Sequence, residues 1–225
     1  MNPVSSTSYC CPLCHSEQLF LFCQDKRRHY FRCNVCALVS VPPSQHLNAE
    51  AEKAQYDKHD NSVADEGYKT FLRRTWTPLK SCLQQGYGPD LSALQGLDFG
   101  CGEGAVLSQL AADDGAVMAN YDLYYHPDTQ VLEGRYDFIT MTEVIEHIAD
   151  AAAIIDKLDT LLKPGGTLAV MTKRVLDADA FSRWHYKNDV THICFYSDET
   201  FHWLAKRQGW HCDLIGADVV LLHKP

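Results

Sequence analysis

At 225 residues and 46% hydrophobic, with 22% charged, the chain can bury one substantial core and carry a small appended module, and extended disorder is not expected. A formal net charge of −9 argues against a protein that grips nucleic acid mainly by neutralising phosphates, and no DNA partner is expected. No run of roughly 18 apolar residues occurs and MNPVSSTSYC lacks the basic-then-apolar build of a secretory leader, so a cytoplasmic protein without membrane contact is expected, in which ten cysteines point to metal before disulfides.

The first module spans residues 1–42. Cys11-Pro-Leu-Cys14 is followed eighteen residues later by Cys33-Asn-Val-Cys36, a spacing inside the zinc-ribbon window. Two turns each present a pair of thiolates, and four thiolates complete a closed tetrahedron with no position for substrate, so a structural Zn2+ is expected. Cys10, Cys23 and His15 are spare; the two-residue spacing to Cys14 favours Cys11 over Cys10. Between the pairs, DKRRHYFR (Asp25 to Arg32) mixes cations with aromatics, which suits either RNA contact or an ordinary solvated hairpin.

Residues 43–92 read as a helical linker or cap. VPPSQH breaks structure, and the following stretch reads as one or two helices with Tyr68, Phe71, Leu72, Thr75 and Leu79 at helical spacing. Tyr56, Asp57, His59 and Asn61 form a polar cluster that suits a cleft cap or a solvated face. No internal repeat or low-complexity tract interrupts the chain.

From residue 93 to 225 short apolar runs alternate with helical stretches: GLDFG, VLSQLAADD, AVMANYD, YDFITM, AAAIIDKLDTLLKPGG, TLAVMT and CDLIGADVVLLHK. The alternation predicts an α/β doubly wound, Rossmann-like domain with a mostly parallel sheet and a C-terminal antiparallel hairpin turning near Gly216. Gly100, Gly102 and Gly104 follow the first strand and open a helix, where a nucleotide-like ligand approaches bare backbone. Ending at Ala105, the glycines also satisfy the dinucleotide fingerprint, but Asp98 and Glu103 beside them repel a pyrophosphate and welcome a ligand carrying an ammonium and a sulfonium.

Four motifs in order, LDFGCGEG, Asp122 in NYDLYYHPD, YDFITMTEVIEHI and LLKPGGTLAV, make the chain from about Leu94 to Pro225 resemble the class I S-adenosylmethionine-dependent methyltransferases. The resemblance implies that Gly100, Gly102 and Gly104 pack against the methionine part of S-adenosylmethionine, that Asp122 holds its ribose hydroxyls, and that Asp98 and Thr142 belong to the same cofactor site. Only about fourteen residues separate Asp122 from Tyr136, where the family fits a helix and a third strand, so that layer is expected to be truncated.

The stretch TEVIEHI is expected to be helical, which puts Glu143, Glu146 and His147 at i, i+3 and i+4 on one face. Acids near a helix start are also favoured by its dipole alone. With His192 of WHYKNDVTHICFYS, the set Glu143, Glu146, His147, His192 resembles the metal site of the small-RNA terminal 2′-O-methyltransferases, and the ubiquinone O-methyltransferases share its first half. That resemblance implies Mg2+ or Mn2+ activating an acceptor hydroxyl for in-line attack. Without a metal, His192 or His185, aided by Tyr186 and Asp189, is the candidate base, with Glu143 also a catalytic candidate. Trp184, Phe195 and Tyr196 suit stacking on a planar substrate or the core. CFYSDETFHWLAKRQGW reads as a capped helix between Ser197 and Gly209. The expected function is methyl transfer to an oxygen of a small molecule or an RNA end. The rivals are metal-free carbon or nitrogen methylation and a non-catalytic donor-binding adaptor.

Overall fold

A computed structural model describes residues 9–58 and 65–225, and in it the chain folds into two sheets that meet on one core. The cysteine-rich segment forms an antiparallel hairpin of β1 (Leu19–Gln24) and β2 (His29–Cys33), followed by the short β3 (Val39–Ser40). Two helices follow. Asn48 caps α1 (Ala49–Tyr56) and Asp65 caps α2 (Glu66–Tyr87), each side chain accepting from backbone N–H groups that the helix leaves unpaired. Along α2, Leu72, Thr75, Trp76, Leu79 and Leu83 make the buried stripe that helical spacing predicts. His59 and Asn61 lie outside the described residues.

The larger sheet is built from β4 (Gln95–Phe99), β5 (Val117–Tyr121), β6 (Tyr136–Thr142), β7 (Leu162–Met171), β9 (His211–Ile215) and β10 (Val219–His223). Its order is β5-β4-β6-β7-β10-β9. The first four strands are parallel; β10 runs antiparallel to both β7 and β9, so the expected hairpin closes one edge. Side chains alternate across it as the pleat requires. Phe138, Ala169, Met171, Val219 and Leu221 pack under α2 and α3 (Val106–Asp113). Ile139, Met141, Leu168, Val170, Val220 and Leu222 face α4 (Ala151–Leu161), α6 (Asp198–Gln208) and the cysteine-rich hairpin. Each fully buried Leu, Ile or Phe there contributes roughly 1.5–3 kcal/mol.

The capped helix read between Ser197 and Gly209 is α6: Ser197 and Thr200 form a capping box and Gly209 ends it at φ 72°. The truncated layer is also observed. Between β5 and β6 the described chain makes one bridge, Asp122 to His126, and a single 3-10 turn over Thr129–Glu133, which leaves β5 at the sheet edge.

The compositional boundaries at residues 42 and 92 are crossed by dense packing. The hairpin sheet has the order β1-β2-β3-β8, its last strand, β8 (Cys194–Phe195), coming from the far end of the chain with Val39 opposite Phe195 and Ser40 opposite Cys194. A short helix, α5 (Ala178–Ser182), inserts Phe181 among Phe22, Tyr30 and Phe195. Phe195 and Tyr196 are fully buried, and Trp184 packs on Phe181, Tyr186 and Phe195, so these aromatics are core.

The expected helix through TEVIEHI does not form. Glu143 takes a left-handed backbone, φ 53°, while its N–H bonds to Met171 O and continues the strand pairing. Glu146 O accepts from Ile193 N, so the carbonyl that a helix would use is engaged elsewhere. Only a 3-10 turn, Ile145–His147, remains before α4 begins at Ala151.

Candidate functional site

A cavity of about 760 Å3 opens above the carboxyl ends of β4, β5 and β6, the end where open α/β sheets bind ligands. Its floor at one end is the glycine loop. Gly100 is left-handed at φ 81°, and a Cβ there would meet Val144 Cγ2 at 2.3 Å, so the turn after β6 can lie on the loop only because this residue lacks a side chain. Gly102, at φ 65°, has open space where its Cβ would stand. Asp122 locks the loop to the end of β5: its Oδ2 accepts from Gly102 N at 3.0 Å and its Oδ1 from Tyr124 N and Tyr125 N at 2.9 and 3.1 Å.

Among the cofactor-site candidates, Gly100, Gly102, Asp122 and Thr142 line the cavity, whereas Asp98 and Gly104 do not. Asp98 lies beneath the loop, 2% exposed, accepting from Thr140 Oγ1 at 2.7 Å. Burial, aided by the Asp122 charge and opposed by the Thr140 bond, raises its carboxyl to about 6. Thr142 Oγ1 is buried with no partner among the described residues.

The other end of the cavity is built by the 3-10 turn and by the loop before β8. His147 and His192 line it with their rings 4.7 Å apart, and Glu146 lies behind them, fully buried. One ligand atom from each of Glu146, His147 and His192 falls within 4.8 Å of the others. Glu143 does not join that set. Its carboxylate instead accepts from Tyr186 Oη at 3.1 Å, and the same hydroxyl contacts Glu146 Oε1 very closely. The left-handed backbone explains this difference: it turns Glu143 off the face that a regular helix would have given all three residues.

Both imidazoles are oriented by backbone carbonyls. His147 Nδ1 donates to Thr191 O at 3.1 Å and His192 Nδ1 to Tyr186 O at 2.8 Å, since a carbonyl only accepts. That fixes the tautomer and leaves each Nε2 lone pair free, the usual support for an imidazole that ligates. Burial, then the neighbouring His192, lowers His147 to about 4, and burial lowers His192 as well, so both rings are neutral at pH 7. Burial and the adjacent Glu143 raise Glu146 to about 8. Glu146 Oε2 and Glu143 Oε1 are buried without partners. A neutral His pair beside a buried carboxyl group with one oxygen unpartnered among the described residues suits a divalent cation, which would displace the carboxyl proton.

His185 is exposed on the outer side, its Nε2 3.4 Å from Lys173 Nζ, and does not reach the cavity; Asp189 does, with Oδ2 3.8 Å from His192 Nε2. Sequence reading missed Glu52, Tyr124, Tyr125 and Asp150 as lining residues. Tyr124 and Tyr125 donate to Glu52 and Asp57 of the α1 region, which seats that helix over the glycine-loop end of the cavity. The tyrosine pair beside Asp122 in NYDLYYHPD was the available signal.

In the cysteine-rich hairpin, Cys11 and Cys36 sulfurs are 3.4 Å apart, as are those of Cys14 and Cys33, and all four lie within 4.8 Å of one another. Disulfide sulfurs stand about 2 Å apart, while the edges of a metal–thiolate tetrahedron with 2.3 Å bonds are near 3.8 Å. Arg28, read as part of a basic patch, is 5% exposed and points inward, and Arg32 pairs with Glu199.

A family model described as a methyltransferase domain matches residues 68–214, which contain every motif of the resemblance. The chain belongs to this family. The methyltransferase match begins within α2, before Leu94. Among curated proteins, the ubiquinone biosynthesis O-methyltransferase of Psychrobacter arcticus is 32% identical over 34% of this chain and 39% of its own length. That of Leptothrix cholodnii is 31% identical over 36% and 45%. The match thus spans about two fifths of these relatives. Similar solved structures include the magnesium protoporphyrin IX methyltransferase of Synechocystis with bound SAM, at 14% identity, 79% and 92% coverage and a TM-score of 0.49. The 1,6-didemethyltoxoflavin-N1-methyltransferase of Burkholderia thailandensis gives 15%, 92% and 99%, and 0.47. Among the described residues no helix is long and apolar enough to cross a membrane.

Proposed function

We propose that this methyltransferase-family chain transfers the methyl group of S-adenosylmethionine to a hydroxyl oxygen of a small, phosphate-free acceptor, with a divalent ion held by Glu146, His147 and His192. The observation that carries this reading is one continuous cavity joining the Gly100–Gly102–Asp122 loop to the His147–His192 pair. Its volume suits a nucleoside donor plus a second small molecule.

Charge supports the choice of acceptor. Among the described lining residues, Glu52, Glu103, Asp122, Glu143, Asp150 and Asp189 supply carboxylates and none is Lys or Arg. Such a lining attracts a sulfonium and an ammonium and repels phosphates, so an RNA end is disfavoured. The aromatic walls, Tyr56, Tyr68, Phe71 and Phe99, offer flat apolar surface. Transfer converts the sulfonium to a thioether and releases the hydroxyl proton. Asp189 lines the acceptor end, and its carboxylate can receive that proton. A divalent ion at the three ligands would lower the acceptor hydroxyl's pKa. The four cysteines, none of which lines the cavity, are read as a structural Zn2+ site.

Calorimetric titration with S-adenosylmethionine and its homocysteine product tests the donor half of the proposal, and an absence of binding overturns it. Methyl-label incorporation with added Mn2+, measured on a zinc-replete chain freed of other ions, tests the metal half. Full turnover without Mn2+ that persists in Glu146→Gln would instead favour metal-free transfer with His192 and Asp189 as proton acceptor.

A further inference from the structure

We propose that Arg28 is a positioning residue for His192, and that the cysteine-rich hairpin thereby acts as a clamp on the acceptor end of the cavity. The turn between β1 and β2 is far from the cavity in sequence, yet the Arg28 guanidinium is buried against the loop that carries His192. It donates to four backbone carbonyls of that loop: Val190 at 3.2 Å, His192 at 2.8 Å, Asp189 at 2.8 Å and, very closely, Lys187. Those carbonyls cluster at the end of the 3-10 turn over His185–Asn188, where unpaired backbone oxygens collect and a cation is favoured. The planar fork can serve several acceptors at once; an ammonium cannot reproduce the geometry.

A second grip comes from Asp25. Its Oδ1 accepts from Arg27 N and Arg28 N at 2.8 and 2.9 Å, which fixes the turn. Its Oδ2 accepts from Tyr30 Oη at 2.9 Å and from the buried Lys187 Nζ at 3.1 Å. Downstream, Val41 N bonds to Ile193 O, and β3 pairs with β8. The loop from Lys187 to Ile193 is therefore held at both ends by the hairpin. The bond from His192 Nδ1 to Tyr186 O, which sets the ring's tautomer, forms inside this clamped loop. Among the described residues no side-chain hydrogen bond or ion pair joins the hairpin to the glycine loop, so the clamp is expected to act on the acceptor end alone.

The consequence for turnover rests on the methyl-transfer reading; the clamp itself does not. The test uses the full chain labelled with 15N-histidine, at pH 8, with Arg28→Met and Asp25→Asn. In the parent chain His192 is expected to show a single Nδ1–H pattern in long-range 1H–15N spectra. Arg28→Met should convert it to an averaged pattern of both tautomers, with His223, paired to Thr167 and Asp213 across the molecule, unchanged. Asp25→Asn, which loses the Lys187 ion pair, should give a smaller shift of the same sign and decides the matter if Arg28→Met does not fold. Donor affinity should stay within about twofold in the folded variants, as the glycine loop is untouched. An unaltered His192 pattern in the folded variants, or an equal change at His223, overturns the clamp. A parent chain that binds no donor overturns the methyl-transfer reading and leaves the imidazole measurement standing.

Discussion

Two groups of side chains that could ligate a metal stand out among the described residues, and they differ in what surrounds them. The sulfurs of Cys11, Cys14, Cys33 and Cys36 lie within 4.8 Å of one another and none of them lines the cavity above the sheet. Glu146, His147 and His192 are three, they border a cavity, and a buried carboxylate oxygen beside them lacks a partner. Four soft ligands closed on themselves make a brace, whereas three mixed ligands facing open space leave room for a reacting oxygen. Ligand count and openness, more than ligand identity, separate the two roles.

The largest effect should come from breaking the closed group. Cys33→Ser removes one thiolate from the tetrahedron, and because β3 pairs with β8 the damage should spread beyond the hairpin. Loss of roughly 3 kcal/mol or more is expected, with zinc content falling from about one ion per chain. Elemental analysis with denaturant unfolding checks it; a Cys33→Ser chain of parental stability would mean that the sulfurs do not brace the fold.

Breaking the open group should do the reverse. His192→Ala is expected to cost about 1–2 kcal/mol, a fall in Tm of a few degrees for a chain of this length, while methyl transfer drops about 100-fold or more. Donor affinity, set by the glycine loop and Asp122, should hold. If calorimetry shows donor affinity falling in step with turnover, the separation into donor and acceptor ends is wrong.

Asp98 sharpens the contrast, because it is a buried carboxylate that no cation is expected to meet. Its folded-state value, about 6, lies above the unfolded value near 3.8 because of burial, reinforced by Asp122. An acid with a raised folded value costs stability as it ionises. The penalty should be absent below pH 3.8, grow through the interval and be complete above 6, reaching up to about 3 kcal/mol. Asp98→Asn should remove most of that slope. Unfolding free energies at pH 4 and 7 decide it: equal pH dependence in both chains would place the penalty elsewhere.

The pattern of these sites explains which parts were legible in the sequence. Alternation revealed the strands, the helical stripe revealed α2, and the glycine turn with Asp122 pointed to the sheet end where the cavity opens, because each is a local consequence of backbone geometry. The cysteine spacing was equally local. What escaped was set by contacts remote in sequence. Glu146 O bonds to Ile193 N and Glu143 N to Met171 O, so TEVIEHI became a turn and Glu143 left the ligand group. Arg28 was read as surface because nothing near it in the chain announces the four carbonyls that bury it, which lie about 160 positions away. Asp98 drew attention for its charge, yet only the sheet shows that it lies under the loop rather than beside the ligand.

The smallest effect separates the hairpin's two kinds of arginine. Arg32 and Glu199 form an ion pair whose side chains keep 32% and 70% of their exposure, so water screens the attraction and the long side chains lose freedom to make it. Arg32→Met should change unfolding free energy by no more than about 0.5 kcal/mol and leave turnover alone. Arg28→Met, four positions earlier, leaves buried carbonyls without donors, each worth about 1–3 kcal/mol if water cannot replace the lost bond. The comparison matters because both residues belong to the same basic stretch, DKRRHYFR. Were that stretch a nucleic-acid grip, the half-buried Arg32, the more accessible of the two, would be the more damaging loss and its effect would vanish at high salt. If it is a clamp, the order reverses and added salt leaves the Arg28 deficit in place.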